Sequence, residues 1–147
     1  MPIQFDSIPP EIVTKKNWVM WRWEKRNGKF TKPPYQPNGK PAKSNDPTTW
    51  ATYIEACGAY KTGKFDGIGF MLGGDYTGID SDGIRNPETG EIVPEHYCRI
   101  ESLDSYTEIS PSQKGVKTLL KGKPIAQLKL AISTDSCPLG VFLKKFT

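Results

Sequence analysis

The fold is decided by the stretch Gly67-Ile-Gly-Phe-Met-Leu-Gly-Gly-Asp-Tyr-Thr-Gly-Ile-Asp-Ser-Asp-Gly83. Its two apolar segments, 67–72 and 76–80, flank the pair Gly73-Gly74, a pattern typical of two strands joined by a turn. Further strands are predicted at 18–23, 105–109 and 116–120, and helices at 46–63 and 94–103. Because strands and helices alternate without repeats, the sequence predicts an α+β domain.

The residues before this stretch predict a central strand and a hairpin. Segment 18–23 is apolar on both faces, which is typical of a strand in the middle of a sheet. Asn27-Gly28 then marks a tight turn. Trp21, Trp23 and Trp50 could stack on nucleic-acid bases, but at these spacings positions in the core are the stronger expectation.

A helix is predicted to begin at Asp46, which can cap it, with Pro47 in the first helical position. Trp50, Ile54 and Cys57 would share its inner face. The segment before this helix, 31–47, is a long loop rich in Pro, Lys and Asn. Loops of this length are often functional.

Composition favours a globular protein of one domain. The chain has 147 residues, 36% hydrophobic and 24% charged, and no apolar run approaches the ~20 residues of a membrane span. Its start lacks the pattern of a secretory signal. Cys57, Cys98 and Cys137 lie far apart without a CxxC pair. This spacing argues against a disulfide framework or a zinc site and predicts a reducing, cytoplasmic environment.

Charge is distributed unevenly along the chain. The net charge is +4, from 20 Lys and Arg against 16 Asp and Glu. Basic residues dominate segments 14–43 and 114–145, and most acidic residues lie between them. A basic surface around an acidic pocket suits a nucleic-acid enzyme that uses metal ions. The alternative is an ordinary solvated basic surface.

Asp80 and Asp82 are the strongest candidates for chemistry. They follow an apolar strand, and residues two apart on a strand point to the same side of the sheet. Two carboxylates placed in this way repel each other, and a divalent cation relieves that repulsion. An acidic turn without metal is the alternative. An EF-hand calcium loop is excluded, because Thr89 would occupy the position that requires a bidentate Glu.

A second candidate is the turn between the predicted strands 105–109 and 116–120. Small residues in such a turn can offer backbone N–H groups to a triphosphate, although most Ser, Gly and Pro turns are structural. Lys114, Lys117 and Lys121 would add positive charge. Lys32 and Lys43, in the long loop, could contact DNA phosphates, and solvated loop lysines are the alternative there.

Six motifs in fixed order resemble a known family. They are Trp18-Val-Met-Trp, Thr31-Lys-Pro-Pro-Tyr-Gln-Pro-Asn-Gly-Lys-Pro-Ala, Asn45-Asp-Pro-Thr-Thr-Trp50, Asp66-Gly-Ile-Gly-Phe-Met-Leu72, Gly78-Ile-Asp-Ser-Asp82 and Ser105-Tyr-Thr-Glu-Ile-Ser-Pro-Ser112. The series resembles the N-terminal domain of bifunctional DNA primase–polymerases of phages and plasmids, in the archaeo-eukaryotic primase superfamily. The resemblance covers about residues 8–124.

The resemblance implies a primase–polymerase fold with an RRM-like mixed sheet flanked by helices. It implies that Asp80 and Asp82 are catalytic and bind Mg²⁺ or Mn²⁺. The segment with Ser112, Lys114, Gly115 and Lys117 matches the part that holds the incoming dNTP or NTP. The implied partners are a DNA template and primer and a replicative helicase domain. The implied location is the cytoplasm of a bacterium or a phage-infected host cell.

This sequence departs from the family pattern at three places. Ser81 replaces an apolar residue between the two aspartates. Gln113 and Lys117 replace a Gly and a His of the family turn, and Gln113 is expected to strain a turn that wants a positive φ. The usual downstream acid has no counterpart in 125–147, where Asp135 is the one acidic residue. Residues 1–124 are therefore predicted to be the domain, and 125–147 a divergent or truncated end.

The function expected from these features is template-directed DNA priming or extension in the replication of a mobile element. The reaction would transfer a nucleotide to a primer 3′-OH. A decayed, non-catalytic DNA-binding domain of a replication protein is the alternative, and a small interaction protein is a third possibility. Only the first of these incorporates dNTPs with Mg²⁺ or Mn²⁺.

Overall fold

The computed structural model describes residues 3–122, which divide into two compact units. The N-terminal unit comprises residues 3–72 and the C-terminal unit residues 73–122. The boundary predicted at residue 124 and the segment 125–147 lie outside the described residues. The division observed here falls at the Gly73-Gly74 turn, between the two strands of the stretch that decided the fold.

The N-terminal unit is built around a central strand. Its elements are the 3-10 turn Phe5–Ser7, α1 (Pro10–Val13), β1 (Trp18–Trp21), β2 (Glu24–Arg26), β3 (Lys29–Thr31), β4 (Pro34–Tyr35), the 3-10 turn Pro47–Thr49, α2 (Tyr53–Lys61) and β5 (Gly67–Phe70). β1 lies between β4 and β5, antiparallel to both. Trp18, Val19 and Met20 are buried, so the predicted central strand is confirmed.

A two-stranded hairpin, β2–β3, follows β1 as a separate sheet. Asn27 and Gly28 form its turn with φ of 49° and 78°, the left-handed values that a tight hairpin turn requires. Glu24 accepts hydrogen bonds from the Tyr35 hydroxyl, from Arg26 (2.8 Å) and from Arg22 (3.0 Å). These donors, Tyr35 first, lower the pKa of the Glu24 carboxyl to about 2.

The helix predicted over 46–63 is two elements. Asp46 caps only the 3-10 turn, accepting from the Thr48 N–H at 3.1 Å. The chain then becomes extended at Ala51, which exchanges two backbone hydrogen bonds with Trp18. α2 starts afresh from a capping box of Thr52 and Glu55. The predicted inner face is wrong at Ile54, which is 82% exposed.

The C-terminal unit contains a three-stranded antiparallel sheet. Its elements are β6 (Tyr76–Ser81), α3 (Pro94–Leu103), β7 (Thr107–Ile109) and β8 (Val116–Lys121). β8 is central, with β6 on one side and β7 on the other. Ile84, Ile100 and Val116 form its buried cluster, with Ile92 packed against them. α3 matches the helix predicted at 94–103.

The predicted α+β class is confirmed. A mixed sheet combines parallel and antiparallel strands, whereas the strand pairs within residues 3–122 are all antiparallel and form three small sheets. The RRM-like mixed sheet of the primase–polymerase fold therefore stays a prediction. No helix in this range has the length and apolar character that crossing a bilayer requires.

Candidate functional site

Asp80 lies in β6, in a row of charged residues that crosses the C-terminal sheet. Its cross-strand partner on β8 is Lys117, and the partner of Lys117 on β7 is Glu108. Residues directly opposite each other on neighbouring strands point to the same face. The Asp80–Lys117–Glu108 row therefore places one ammonium group between two carboxylates on one face of the sheet.

The ammonium of Lys117 forms an ion pair with Asp80 Oδ2. The two side chains are 53% (Asp80) and 38% (Lys117) exposed, so water screens the pair and it adds little to stability. The pair matters because of its position. It joins Lys117, the lysine predicted to contact a triphosphate, to Asp80, a predicted metal ligand.

The opposite face of the sheet is covered. Thr107, Val116 and Thr118 are buried there, and the two threonine hydroxyls lie 2.9 Å apart in a hydrogen bond. Alternation along the strands then directs the charged row to the other face. A register shift by one residue would bury Lys117, so the covered face fixes the direction of the row.

Asp82 follows the end of β6 and is exposed. Its backbone is approached closely by Gly115, at the end of the turn that precedes β8. A Cβ atom at Gly115 would lie 3.0 Å from the Cα of Asp82 and would overlap the carbonyl oxygen of Ser81. Gly115 thus brings the predicted nucleotide-binding turn against the predicted metal-binding residues.

The turn 110–115 is closed by its own backbone. The N–H of Ser110 donates to the Gly115 carbonyl (2.9 Å), and the N–H of Gln113 donates to the Ser110 carbonyl (2.8 Å). Gln113 has φ of 61°, as the family turn led us to expect. The hydroxyl of Ser112 lies 2.9 Å from that of Ser110 and 3.4 Å from the N–H of Lys114.

Arg85 is a residue of this region that the sequence analysis missed. Its side-chain Nη1 donates to the Gln113 carbonyl (2.8 Å), and its backbone N–H donates to the Lys114 carbonyl (3.0 Å). It thereby ties the turn to the segment that follows Asp82. No local signal identifies Arg85, because its partners are 28 and 29 positions away. The place of Glu108 in the charged row could have been predicted, because alternate residues of the predicted strand 105–109 point to opposite faces.

The two predicted DNA-binding lysines lie in the N-terminal unit. Lys32 is exposed, and its Nζ lies 5.2 Å from the ring centroid of Trp23. Lys43 is also exposed, and its carbonyl accepts from the indole N–H of Trp50 at 2.8 Å. That bond fixes Trp50 to the loop, so Lys43 has a structural role through its backbone.

Comparison with known proteins relates this chain to a phage protein. The chain is 35% identical over 111 residues to the "DNA Primase-polymerase" of Nitratiruptor phage NrS-1. The comparison supports a primase–polymerase-like domain. The match covers 72% of this chain and 15% of the phage protein, so the chain spans a small part of that relative's length. No family model matches the chain.

The carboxylates of this primase–polymerase-like domain suit a hard divalent cation. Asp80 and Asp82 offer oxygen ligands at an exposed strand end, the donor type that Mg²⁺ and Mn²⁺ prefer. Within residues 3–122, no group of three or more His, Cys, Asp or Glu side chains is assembled as a metal site. An ion held by two aspartates alone would need further ligands, from a nucleotide's phosphates or another acid.

Proposed function

We propose that this chain carries out template-directed DNA priming or extension, transferring a nucleotide from dNTP or NTP to a primer 3′-OH. The observation that carries the proposal is the junction at the end of β6. Gly115 there presses a serine- and lysine-bearing turn against the backbone of Ser81 and Asp82. Phosphoryl transfer needs acidic metal ligands beside a phosphate-binding segment, and this junction provides both residue types.

Asp80 and Asp82 would hold Mg²⁺ or Mn²⁺. A bound ion would neutralise charge on the phosphates and favour deprotonation of the primer hydroxyl. The exposed position of both aspartates leaves room for the phosphates to complete the ligand set. A metal ion at Asp80 would compete with Lys117, whose ammonium engages one of the two carboxylate oxygens.

Lys117 would then move from Asp80 to the triphosphate. An ammonium group is a compact charge on a flexible stem, so it can reach either anion. Ser112 and Lys114, in the exposed part of the turn, would contribute a hydroxyl and a second ammonium. Gly115 would act by permitting the close approach of the turn. Before metal and nucleotide bind, Lys117 would offset part of the negative charge of Asp80.

The wider setting follows from the same proposal. Lys32 and Lys43 would contact the phosphates of template or primer. A replicative helicase domain or partner, a role in a mobile element and a cytoplasmic location fit DNA synthesis of this kind.

A non-catalytic DNA-binding role is the second candidate, and two observations favour it. Lys117 already occupies Asp80. Within the described residues no third acid joins the two aspartates as a metal site. This candidate predicts DNA binding without metal-dependent incorporation of nucleotides.

The test measures Mn²⁺ binding by calorimetry and primer extension on the same protein. We compare wild type with Asp80→Asn, Asp82→Asn and the matched control Asp75→Asn. Asp75 is an exposed acid in the turn before β6, so its variant has the same charge change outside the site. We expect both activities to fall in the first two variants and to be unchanged in the control.

Two results would overturn the proposal. Equal Mn²⁺ binding in wild type and Asp80→Asn would remove the metal site. Nucleotide incorporation that survives both site variants would assign catalysis to other residues. DNA binding with no incorporation by wild type, under conditions in which an intact primase–polymerase is active, would favour the non-catalytic role.

A further inference from the structure

The β2–β3 hairpin has two chemically different faces. Its register pairs Lys25 with Phe30 and Glu24 with Thr31, so these pairs lie on opposite faces. By the same alternation, Trp23 and Lys32 extend the face of Lys25 and Phe30. Contacts support this placement, because the rings of Trp23 and Phe30 meet edge to face at 6.4 Å.

We call Trp23, Lys25, Phe30 and Lys32 the aromatic–lysine face. All four residues are exposed, with Phe30 at 71% and Trp23 at 40%. An isolated exposed aromatic residue on a protein surface is common. Here two rings are adjacent and alternate with two lysines, an arrangement that burial in the core does not explain.

Two acidic groups of the described residues lie near this face, and hydrogen bonds engage both. Glu24 points to the opposite face, where two arginines and a tyrosine hydroxyl bind its carboxylate. Asp66 accepts from the backbone N–H of Trp23 at 2.7 Å, at the base of the hairpin. Residues 22–32 contain five Lys or Arg and one acid. Of these, Lys25 and Lys32 lie on the face itself and give it positive charge.

Trp21 gives the face a rigid support. Its indole N–H donates to the Ile68 carbonyl (3.1 Å). Its ring packs so closely on Gly67 that a Cβ atom there would lie 2.5 Å from the ring atoms. The Trp23 ring packs against it edge to face at 5.7 Å. Trp23 is thus held in place while 40% of it remains exposed. The expectation of a core position is wrong for Trp23.

We propose that the aromatic–lysine face binds single-stranded DNA. Bases would stack on Phe30 and Trp23, and Lys25 and Lys32 would meet the flanking phosphates. Unpaired bases present flat π-faces that a duplex keeps stacked inside, so rings together with lysines favour a single strand. The identity of that strand as a template rests on the proposed function; the binding itself does not.

The test uses the full 147-residue chain and a fluorescein-labelled oligothymidylate of about 16 nucleotides, followed by anisotropy. Phe30→Ala should weaken binding between about fivefold and a hundredfold, the range of one lost stacking contact. Ile54→Ala is the matched control, because Ile54 is an exposed apolar residue of the same unit on α2. It should bind as wild type does.

The lysines are tested by a pair of variants on opposite faces of the hairpin. Lys25→Gln should reduce the slope of log affinity against log salt by about 0.7, the value for one phosphate contact on a single strand. Lys29→Gln removes the same charge from the Arg26 side and should leave the slope unchanged. Equal effects of the two would mean general electrostatic attraction and would overturn the proposal.

Trp23→Phe tests stacking through tryptophan fluorescence, a signal that would not change if Trp23 had only a structural role. It should keep most of the affinity, since a ring remains, but lose most of the tryptophan fluorescence quenching caused by oligothymidylate. Unchanged quenching would overturn stacking on Trp23. A Phe30→Ala defect seen equally with duplex DNA, or only with anionic phosphatidylserine vesicles, would also overturn the proposal.

The outcomes separate this inference from the proposed function. Asp80→Asn should bind oligothymidylate as wild type does while failing in primer extension. If hairpin variants bind normally and extension still depends on Asp80, the inference is wrong and the proposed function stands. If the hairpin binds the strand but Asp80 has no role in metal binding or extension, the inference stands alone.

Discussion

In the N-terminal unit, indole rings pack around β1, and two of them donate their N–H groups to backbone carbonyls of the same unit. In the C-terminal unit, by contrast, charged groups occupy a partly exposed face of the sheet. Trp18 and Trp21 donate to the carbonyls of Ile12 and Ile68. In the C-terminal unit, Asp80 and Lys117 pair with each other at a partly exposed position. One unit is thus built on aromatic packing, and the other carries paired charges on its sheet.

The two units therefore differ in the substitutions that they tolerate. A packed aromatic unit is sensitive to changes of side-chain volume, whereas its hairpin exposes Trp23 and Phe30 to solvent. A small sheet with charges on one face depends on register, because one shift moves every charge to the covered face.

The largest expected effect is on the backbone junction of the C-terminal unit. Gly115→Ala should lower the free energy of unfolding by about 2–4 kcal/mol, because the added Cβ overlaps the backbone of Ser81 and cannot be relieved by a side-chain rotation. Gly58→Ala is the control in α2, where a Cβ meets open space. It should add about 1 kcal/mol. Urea denaturation measures both, and a neutral Gly115→Ala would contradict the close approach.

Next in size is the effect of removing the central charge of the row. Lys117→Ala should weaken dNTP binding by about 1.5–3 kcal/mol, as expected for a charge-assisted hydrogen bond. It should also strengthen Mn²⁺ binding, since Asp80 loses its competing ammonium. Lys117→His should bind dNTP at least as well as wild type.

Calorimetry with each ligand separates the two effects of Lys117→Ala. Lys40→Ala, at an exposed lysine of the N-terminal unit, is the control and should change neither. Unchanged dNTP affinity in Lys117→Ala would end the assignment of Lys117 to the triphosphate.

A smaller effect concerns turn strain in the two units. Gln113→Gly should stabilise the protein by about 0.5–1 kcal/mol, because left-handed strain exceeds the entropy cost of glycine. Asn27→Gly, in the hairpin turn at φ of 49°, should change less because asparagine tolerates this region. Thermal unfolding compares them, and a larger gain at Asn27 would reverse the expected order.

The smallest effect is a pH dependence of the N-terminal unit. The pKa of Glu24 is about 2 in the folded protein against 4.5 ordinarily. The lowered pKa means that its stabilisation is present above pH 4.5 and is lost as pH falls towards 2. Glu24→Gln should flatten the stability profile in this window. Tyr35→Phe removes the largest cause of the shift and should move the loss to higher pH.

Several features of the fold could be predicted because they depend on neighbouring residues. Asn27-Gly28 forms the predicted turn, and α3 spans the predicted 94–103. The apolar run before Asp80 forms β6. These predictions rest on turn residues, on proline at a helix start and on apolar alternation. Each of these signals acts within a few positions, so it can be recognised in the sequence without the tertiary structure.

The predicted helix at 46–63 failed for a non-local reason. Ala51 pairs with Trp18, 33 positions earlier, and this bridge holds the chain extended between two helical segments. Thr52 and Glu55 then restart the helix with a capping box that the longer pattern concealed. Tertiary pairing overrode local propensity there.

The residue types and local shapes of the candidate site could be predicted from the sequence: two acids at a strand end and a lysine-bearing turn with a positive φ. Only the tertiary structure decided that Lys117 lies on Asp80, that Gly115 presses on Ser81 and Asp82, and that Trp23 is exposed. These contacts depend on strand register and close packing between segments far apart in the chain. Local propensities act over a few residues, whereas register is fixed by which face of a sheet is covered.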